Sequence, residues 1–158
     1  MEKKDRLKLA NWWPPFLGAG IRLKNIAADM RSMDTELRMH WWNKNYVGTH
    51  YSASMYSMIE PFYMLMLLEN LGKDYVIWDK KTTIEFEKPA KGTLTAHFNL
   101  TQEQIDDIRN KADTQYKYEP EFTVQIKDEA GDVVAEAHKI LYVKRRDHGP
   151  GWTPPAAG

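Results

Sequence analysis

The stretch from Ser52 to Leu71, SASMYSMIEPFYMLMLLENL, contains the most apolar part of the chain and decides its fold. Its length, its Met and Leu content and the Gly72 that follows it predict a helix rather than a strand. Because the helix is apolar on almost every side, we expect the rest of the chain to wrap around it. It contains Glu60, Pro61 and Glu69 and falls short of the roughly 20 clean apolar residues of a membrane span, which favours a core helix.

Segments that alternate apolar and polar residues lie on both sides of this helix and predict strands. A short helix is expected over about residues 3–11, and a polar helix is expected from Thr101, as N-cap, to about Lys111. A buried helix cradled in a curved antiparallel sheet is an α+β fold. We predict one domain over residues 1–146 and a disordered tail over 147–158. The predicted strands are residues 21–26, Thr35–Trp42, Tyr75–Trp78 with Thr82–Glu87 (one strand or two), Thr93–Leu100, Glu121–Lys127 and Val133–Lys144.

The composition excludes several classes of protein. The 158 residues include no cysteine, which excludes a disulfide scaffold, a thiol nucleophile and thiolate-bound metal. The 22 basic and 22 acidic residues cancel, which argues against a nucleic-acid binder with a broad basic surface. The five histidines are scattered and show no metal-ligand spacing. We therefore expect no metal, no cofactor and no nucleic-acid partner, and, with no apolar leader or membrane span, a cytoplasmic protein.

Glu60 is the first candidate for chemistry. A carboxylate among Met58, Ile59, Phe62 and Tyr63 is costly to bury, and its pKa should rise unless the group is paired. Such a group can serve as a general base or a nucleophile. The alternative is that Glu60 faces solvent at a gap in the sheet or pairs with an arginine.

The loop before the helix is the second candidate. Asn45, Gly48 and Thr49 lead into the predicted helix start at Tyr51-Ser52-Ala53. The free amides of a helix start can polarise a carbonyl group, and the Asn45 amide could add a donor. Taken alone, these residues are explained more simply by ordinary turn and capping chemistry. His50 lies close to this candidate site, and the simpler interpretation is that it is a loop residue.

The segment from residue 45 to residue 60, NYVGTHYSASMYSMIE, resembles the motif of hotdog-fold acyl-CoA thioesterases of the PaaI-like group, roughly N-x-x-G-x-x-H-G-G-x-x-x-x-L-x-D. The register holds without a gap, with Asn45, Gly48 and Glu60 at the Asn, Gly and acidic positions. The stretches TTIEFEKPAKGTLTA and DEAGDVVAEA resemble later strands of the same family. The start WPPFLGAGI and the form GTHYSA are similar to a domain-of-unknown-function branch of the superfamily. The resemblance covers about residues 12–146.

This resemblance implies a hotdog fold and hydrolysis of an acyl-CoA or acyl-carrier thioester by a homodimer, with a dimer of dimers left open. Glu60 would be the base or nucleophile, and Asn45 would position the site. The Ser52 amide would be the carbonyl donor, supplied by the partner subunit. The other residues expected to line the substrate site are Gly48, Thr49, His50, Tyr51 and Ala53.

The sequence departs from the family pattern in ways that keep other functions open. Tyr51 replaces the motif His, Ser52-Ala53 replaces Gly-Gly, and Glu60 replaces the commoner Asp. These changes motivate an alternative, a non-catalytic module that binds an acyl ligand. A hydratase or dehydratase using His50 ranks last, because His50 lies in the wrong part of the motif. The basic stretch Lys144-Arg145-Arg146 is either a contact for coenzyme A phosphates or a solvated strand end.

Overall fold

The computed structural model describes residues 2–156 and shows five α-helices and six strands in that range. A 3-10 turn over Leu9–Trp12 links the first two helices. The helices are α1 (Lys3–Lys8), α2 (Pro14–Ala19), α3 (Ser52–Ser57), α4 (Phe62–Leu71) and α5 (Gln102–Thr114). The strands are β1 (Ile21–Lys24), β2 (Ser32–Leu37), β3 (Tyr75–Phe86), β4 (Leu94–Asn99), β5 (Glu121–Lys127) and β6 (Val133–Arg145).

The strands form one antiparallel sheet in the order β1-β2-β4-β5-β6-β3. The sheet curls around α4, and the predicted α+β class with a helix wrapped by a curved sheet is confirmed. Alternate residues of the inner strands face the helix, as the period of two requires. Buried residues of this inner face include Met33, Leu37, Leu94, Phe98, Val124, Ile126, Ala137 and Leu141.

The central helix differs from the prediction because it is divided in two. The segment Ser52–Leu71 folds as α3 and α4, and the four residues between them form a turn. Pro61 explains the division, because proline has no N–H for the helical ladder and disfavours helical backbone in the residue before it. The ladder of α4 begins again where the Leu65 amide donates to the Pro61 carbonyl at 2.9 Å.

The second strand is also displaced from its predicted position. It runs over Ser32–Leu37, so residues 38–42 of the predicted strand Thr35–Trp42 lie outside it, and Trp41 is 84% exposed. The Asn43 side chain accepts from the His40 amide and donates to the Arg38 carbonyl. It therefore takes up backbone groups that a continuing strand would pair, which ends the strand early.

Other local predictions agree more closely with the structure. Thr101 caps α5 in a reciprocal capping box with Gln104. The two predicted segments between residues 75 and 87 form one strand, β3, whose register shifts between Asp79 and Lys81.

The domain and tail boundaries stay predictions. In the described part of the tail, the buried His148 ring stacks on the Trp152 ring at a centroid distance of 3.8 Å. Residue 1 and residues 157–158 lie outside the described residues. Among residues 2–156, none of the helices is long and apolar enough to cross a membrane.

The burial of α4 predicts the effect of shortening one of its side chains. Leu67 is fully buried, so Leu67→Ala should lower the free energy of unfolding by about 2–5 kcal/mol. The same change at Leu17, which is 50% exposed, should cost about 0.5 kcal/mol or less. Urea unfolding at one fixed protein concentration measures both variants. Equal losses would contradict the placement of α4 in the core.

Candidate active site

Glu60 lies at the break between α3 and α4, where it borders a small pocket. The pocket has a volume of about 190 Å³. Its other walls are Trp13, Pro15, Phe16, Tyr56 and Ser57. The N-terminal segment therefore contributes a largely apolar wall to the pocket that Glu60 lines.

The surroundings of Glu60 favour the protonated acid. Burial is the largest influence and raises the pKa of Glu60, and the negative charge of Asp79 raises it further. The Lys139 ammonium opposes both effects. The expectation from the sequence that a carboxyl group here would have a raised pKa therefore agrees with the structure. The predicted alternative of an arginine partner does not, since the neighbouring cation is a lysine.

Lys139 is a buried ammonium that the sequence analysis missed. Its Nζ lies 2.8 Å from Asp79 Oδ1 and donates to the Glu60 carbonyl at 2.8 Å and to Thr82 Oγ1 at 3.2 Å. Neither carboxylate oxygen of Asp79 has a hydrogen-bond partner among residues 2–156, so the ion pair with Lys139 is its main polar contact. A signal for Lys139 was present, since it lies in phase with the apolar residues Ala137 and Leu141 of a predicted strand.

Asn45 organises the loop before α3. Its Oδ1 accepts from the Val47 and Thr49 amides at 3.1 and 2.9 Å, and its Nδ2 donates to Thr49 Oγ1 and to the His50 carbonyl. Gly48 closes the turn with φ of +83°, a left-handed conformation that favours glycine. Asn45 thus fixes the shape of the loop through its own hydrogen bonds.

His50 is buried and does not line the pocket of Glu60. Its Nε2 contacts the Gly92 carbonyl, and its own amide donates to the Ala90 carbonyl at 2.9 Å. Burial lowers the pKa of His50, and the bond to Gly92 offsets this only in part. His50 therefore anchors the loop to the turn before β4, which agrees with the simpler interpretation of a loop residue.

The start of α3 is open to solvent. Tyr51, Ser52 and Ala53 are exposed, and no side chain caps the helix. Among the described residues, the first helix amide to find a partner is that of Ser54, which donates to the Tyr51 carbonyl. The Ser52 and Ala53 amides are therefore available to an outside acceptor.

Within one chain the predicted site residues form two groups. Glu60 has its own pocket, and none of the residues from Asn45 to Ala53 lines that pocket. The sequence analysis also missed Trp13, Pro15 and Phe16, which are 44 to 47 positions away from Glu60 and carry no local signal of this contact.

The basic stretch near the end of β6 is occupied by contacts within the chain. Arg145 pairs with Asp113 and Asp147, and Arg146 Nε donates to the Lys73 carbonyl. Lys144 Nζ lies 4.9 Å from the centre of the Tyr116 ring. These contacts favour a structural strand end over a phosphate contact.

A larger cleft of about 650 Å³ lies over β2, β4 and β5 and contains none of the predicted site residues. It follows the place where β4 and β5 pair at only two positions, Thr95 with Lys127 and Ala96 with Ile126. The walls of this cleft carry both acidic and basic groups, such as Asp34, His97 and Lys127. The pocket of Glu60 has the more apolar walls that an acyl chain needs, so it is the better candidate site. Among residues 2–156, no group of three or more His, Asp or Glu side chains is placed to hold a metal ion.

The raised pKa of Glu60 predicts how a neutral substitute changes stability. Glu60 binds its proton more tightly in the folded state, so it makes the fold less stable as the pH rises from its ordinary pKa of 4.5 through the raised value. Glu60→Gln removes this loss, so its melting temperature should exceed that of the wild type at pH 8, and the difference should shrink towards pH 4. The same change at the exposed Glu85 is the control. A gain that does not depend on pH would contradict this picture.

Comparisons with known proteins agree with the fold. The family model described as a domain of unknown function, DUF4442, matches residues 6–143. A Pseudomonas aeruginosa protein of unknown function, described as a probable thioesterase, has 22% identity and a TM-score of 0.79, with 90% of this chain and 96% of that chain covered. A thioesterase from Haemophilus influenzae has 12% identity and a TM-score of 0.65, covering 89% of this chain and 90% of its own.

A third similar structure is a Chlorobaculum tepidum protein of unknown function, with 11% identity, a TM-score of 0.72 and coverage of 90% and 94%. No curated protein matches the chain. At these identities the structural likeness establishes the fold, which is the hotdog fold. The family model matches residues 6–143 of the 158, and the chain therefore belongs to the DUF4442 family, a domain of unknown function.

Proposed function

We propose that the protein hydrolyses an acyl thioester, carried by coenzyme A or an acyl carrier protein, with Glu60 as the reactive carboxylate. The observation that carries the proposal is a partly buried carboxyl group with a raised pKa, placed at a helix break beside an aromatic-walled pocket. Perturbed carboxyl groups in clefts are common in catalytic sites. Solved structures with the same fold include proteins named as thioesterases, which supports this reaction class.

The chemistry needs only Glu60, water and a polarised thioester. The Glu60 carboxylate takes a proton from water as the oxygen attacks the carbonyl carbon, or it attacks that carbon itself before water releases the acid. In the first route the carbon–sulfur bond of the tetrahedral intermediate breaks, and the thiolate takes the proton held by Glu60 and leaves as a free thiol. In the second route the same bond breaks as the Glu60 anhydride forms, the thiolate takes a proton from solvent, and water then hydrolyses the anhydride to the free acid. Trp13, Pro15 and Phe16 supply an apolar surface for the start of the acyl chain.

The carbonyl donor in this proposal is the Ser52 amide of a second copy. The helix start is exposed and its first amides are free, yet it does not line the pocket of Glu60 in the same chain. The pocket is also smaller than the ~300–1,000 Å³ typical of ligand sites, which fits a site completed by a partner. Gly48, Thr49, His50, Tyr51 and Ala53 would shape the substrate side of that helix start, with Asn45 holding the loop.

The long strand β3 is the proposed surface for pairing two copies. At one end of the sheet, the Asn11 side chain bonds the Leu23 amide and carbonyl and covers the edge of β1. At the other end, β3 has 12 residues and pairs with β6 on one side only among the described strands. Long open edges invite pairing with another chain, and a two-fold axis would join two β3 strands.

An acyl-binding module without turnover is the second candidate function. The exposed Tyr51 ring and the Cβ atoms of Ser52 and Ala53 favour it, because they crowd the approach of a thioester to the helix start. The cytoplasmic location predicted from the sequence stays a prediction for either function.

Glu60→Gln tests the proposed reaction. Across acyl-CoA thioesters from acetyl to palmitoyl and aryl-acetyl, the wild type should turn over at least one, and the variant should lose about a hundredfold or more of that rate. The wild-type rate should fall on the acid side with a midpoint above 4.5, because the base form is lost there.

Glu69→Gln, on the same central segment but outside the pocket, is the matched control and should keep its activity. A folded wild type that binds acyl-CoA without hydrolysing any thioester in the panel would contradict the proposal and support the binding module.

The proposed pairing predicts at least a dimer at micromolar concentration. The reason is that β3 has an open edge and the site is incomplete in one chain. Light scattering coupled to size exclusion measures the mass directly. A monomer would contradict both the pairing and the shared site.

A further inference from the structure

We propose that Lys139 and Asp79 are positioning residues that fix the Glu60 backbone at the helix break and set the electrostatic field at its carboxyl group. The proposal rests on Glu60 being the reactive carboxylate of the proposed function. Neither residue lines the pocket of Glu60, so they act through Glu60 and not on the substrate.

The first support is the set of buried polar contacts that the Lys139 ammonium makes. Lys139 is fully buried in a row of inward-facing apolar residues on β6. Its Nζ donates to the Glu60 carbonyl and to Thr82 Oγ1, and it forms an ion pair with Asp79, whose Oδ1 lies 2.8 Å away. A buried ion pair stabilises a fold no better than a well-packed apolar pair, so stability alone does not explain a lysine at this position.

The second support is a strand irregularity that builds the cluster. Asp79 and Thr82 are three residues apart, so in a regular strand they would face opposite sides of the sheet. The register of β3 shifts between Asp79, opposite Leu141, and Lys81, opposite Ile140. This single extra residue brings Asp79 and Thr82 to the same side, where both reach Lys139. Strand bulges are common next to active sites for this reason.

The third support is the place where Lys139 binds the central segment. The helical ladder of α4 starts at the Pro61 carbonyl, so the Glu60 carbonyl lies just outside it and accepts from Lys139. The Met58 carbonyl is bonded in the same way by Thr35 Oγ1 at 2.9 Å. Two inward-facing polar residues of the sheet thus hold the turn that presents the Glu60 side chain.

The charges around Glu60 are few and opposed. Asp79 from β3 and Lys139 from β6 act on it with opposite signs. The pocket walls contributed by residues 13–16 are uncharged, and α3 contributes Tyr56 and Ser57. Removal of one charge should therefore shift the titration of Glu60 in one direction, and removal of the other should shift it in the opposite direction.

The test is a titration of the Glu60 carboxyl carbon by NMR, with glutamate labelled by ¹³C and the signal assigned from Glu60→Gln. Asp79→Asn should move the midpoint down, and Lys139→Met should move it up. Thr82→Val, which removes a neutral contact of the same ammonium, is the matched control and should leave the midpoint in place. If Lys139→Met does not fold, the comparison of the titration midpoints of Asp79→Asn and Thr82→Val decides the question, since only Asp79→Asn should lower the midpoint.

The result that overturns the proposal is a midpoint unchanged in the charge variants, or moved in the same direction by both. For any thioester that the wild type hydrolyses, the acid limb of the pH–rate profile should shift with the NMR midpoint in each variant. The NMR titration needs no substrate. If the two charge variants shift the midpoint in opposite directions but the wild type hydrolyses no thioester, the proposed hydrolysis is contradicted and the electrostatic effect of Asp79 and Lys139 is confirmed. If the wild type hydrolyses a thioester but the midpoint does not shift, only the proposed role of Asp79 and Lys139 is overturned.

Discussion

The interruption of a buried helix is the constraint on which the rest of the structure depends. An apolar segment wrapped by a sheet must satisfy its backbone groups internally, and Pro61 frees carbonyls in the middle of the core. Thr35 on β2 donates a hydrogen bond to the Met58 carbonyl, and Lys139 on β6 donates one to the Glu60 carbonyl. Both of these polar side chains therefore bind the turn that contains Glu60.

This arrangement links stability to chemistry. The Glu60 carboxyl group shares a pocket with Trp13 and Phe16, and its partial burial raises its pKa. The buried Lys139 ammonium and its partner Asp79 act on that pKa in opposite directions. Burial of these charges costs free energy, and they are buried next to the break between α3 and α4, where the helix is irregular. Strained or costly features of this kind are often concentrated in functional sites.

The sequence predicted the architecture because it rests on strong local patterns. Three local signals were sufficient: the apolar run of α4, the alternation of apolar and polar residues in β4, β5 and β6, and Thr101 as the N-cap of α5. The structure contains each of these elements. The division of the central helix was not predicted. The segment Ser52–Leu71 is apolar enough to indicate one continuous helix, and this outweighed the helix-breaking effect of Pro61. The early end of β2 was missed because it depends on hydrogen bonds of the Asn43 side chain. Of the site, Glu60 was found through its apolar neighbours. Asp79 reaches Lys139 only because of a strand bulge, and Lys139 reaches Glu60 across 79 residues of sequence.

The central claim is that Glu60 of one copy works with the helix start of the other, and mixing two inactive variants tests it most directly. Ser52→Pro removes the amide donor at a position where proline suits a helix, and Tyr51 before it already has the extended backbone that proline requires. Co-expression of this variant with Glu60→Gln should yield mixed dimers in which one of the two sites is intact. Random pairing makes about half of the dimers mixed, so the expected thioesterase activity is about one quarter of the wild-type value. Mixed dimers as inactive as either parent would contradict a site shared between two copies.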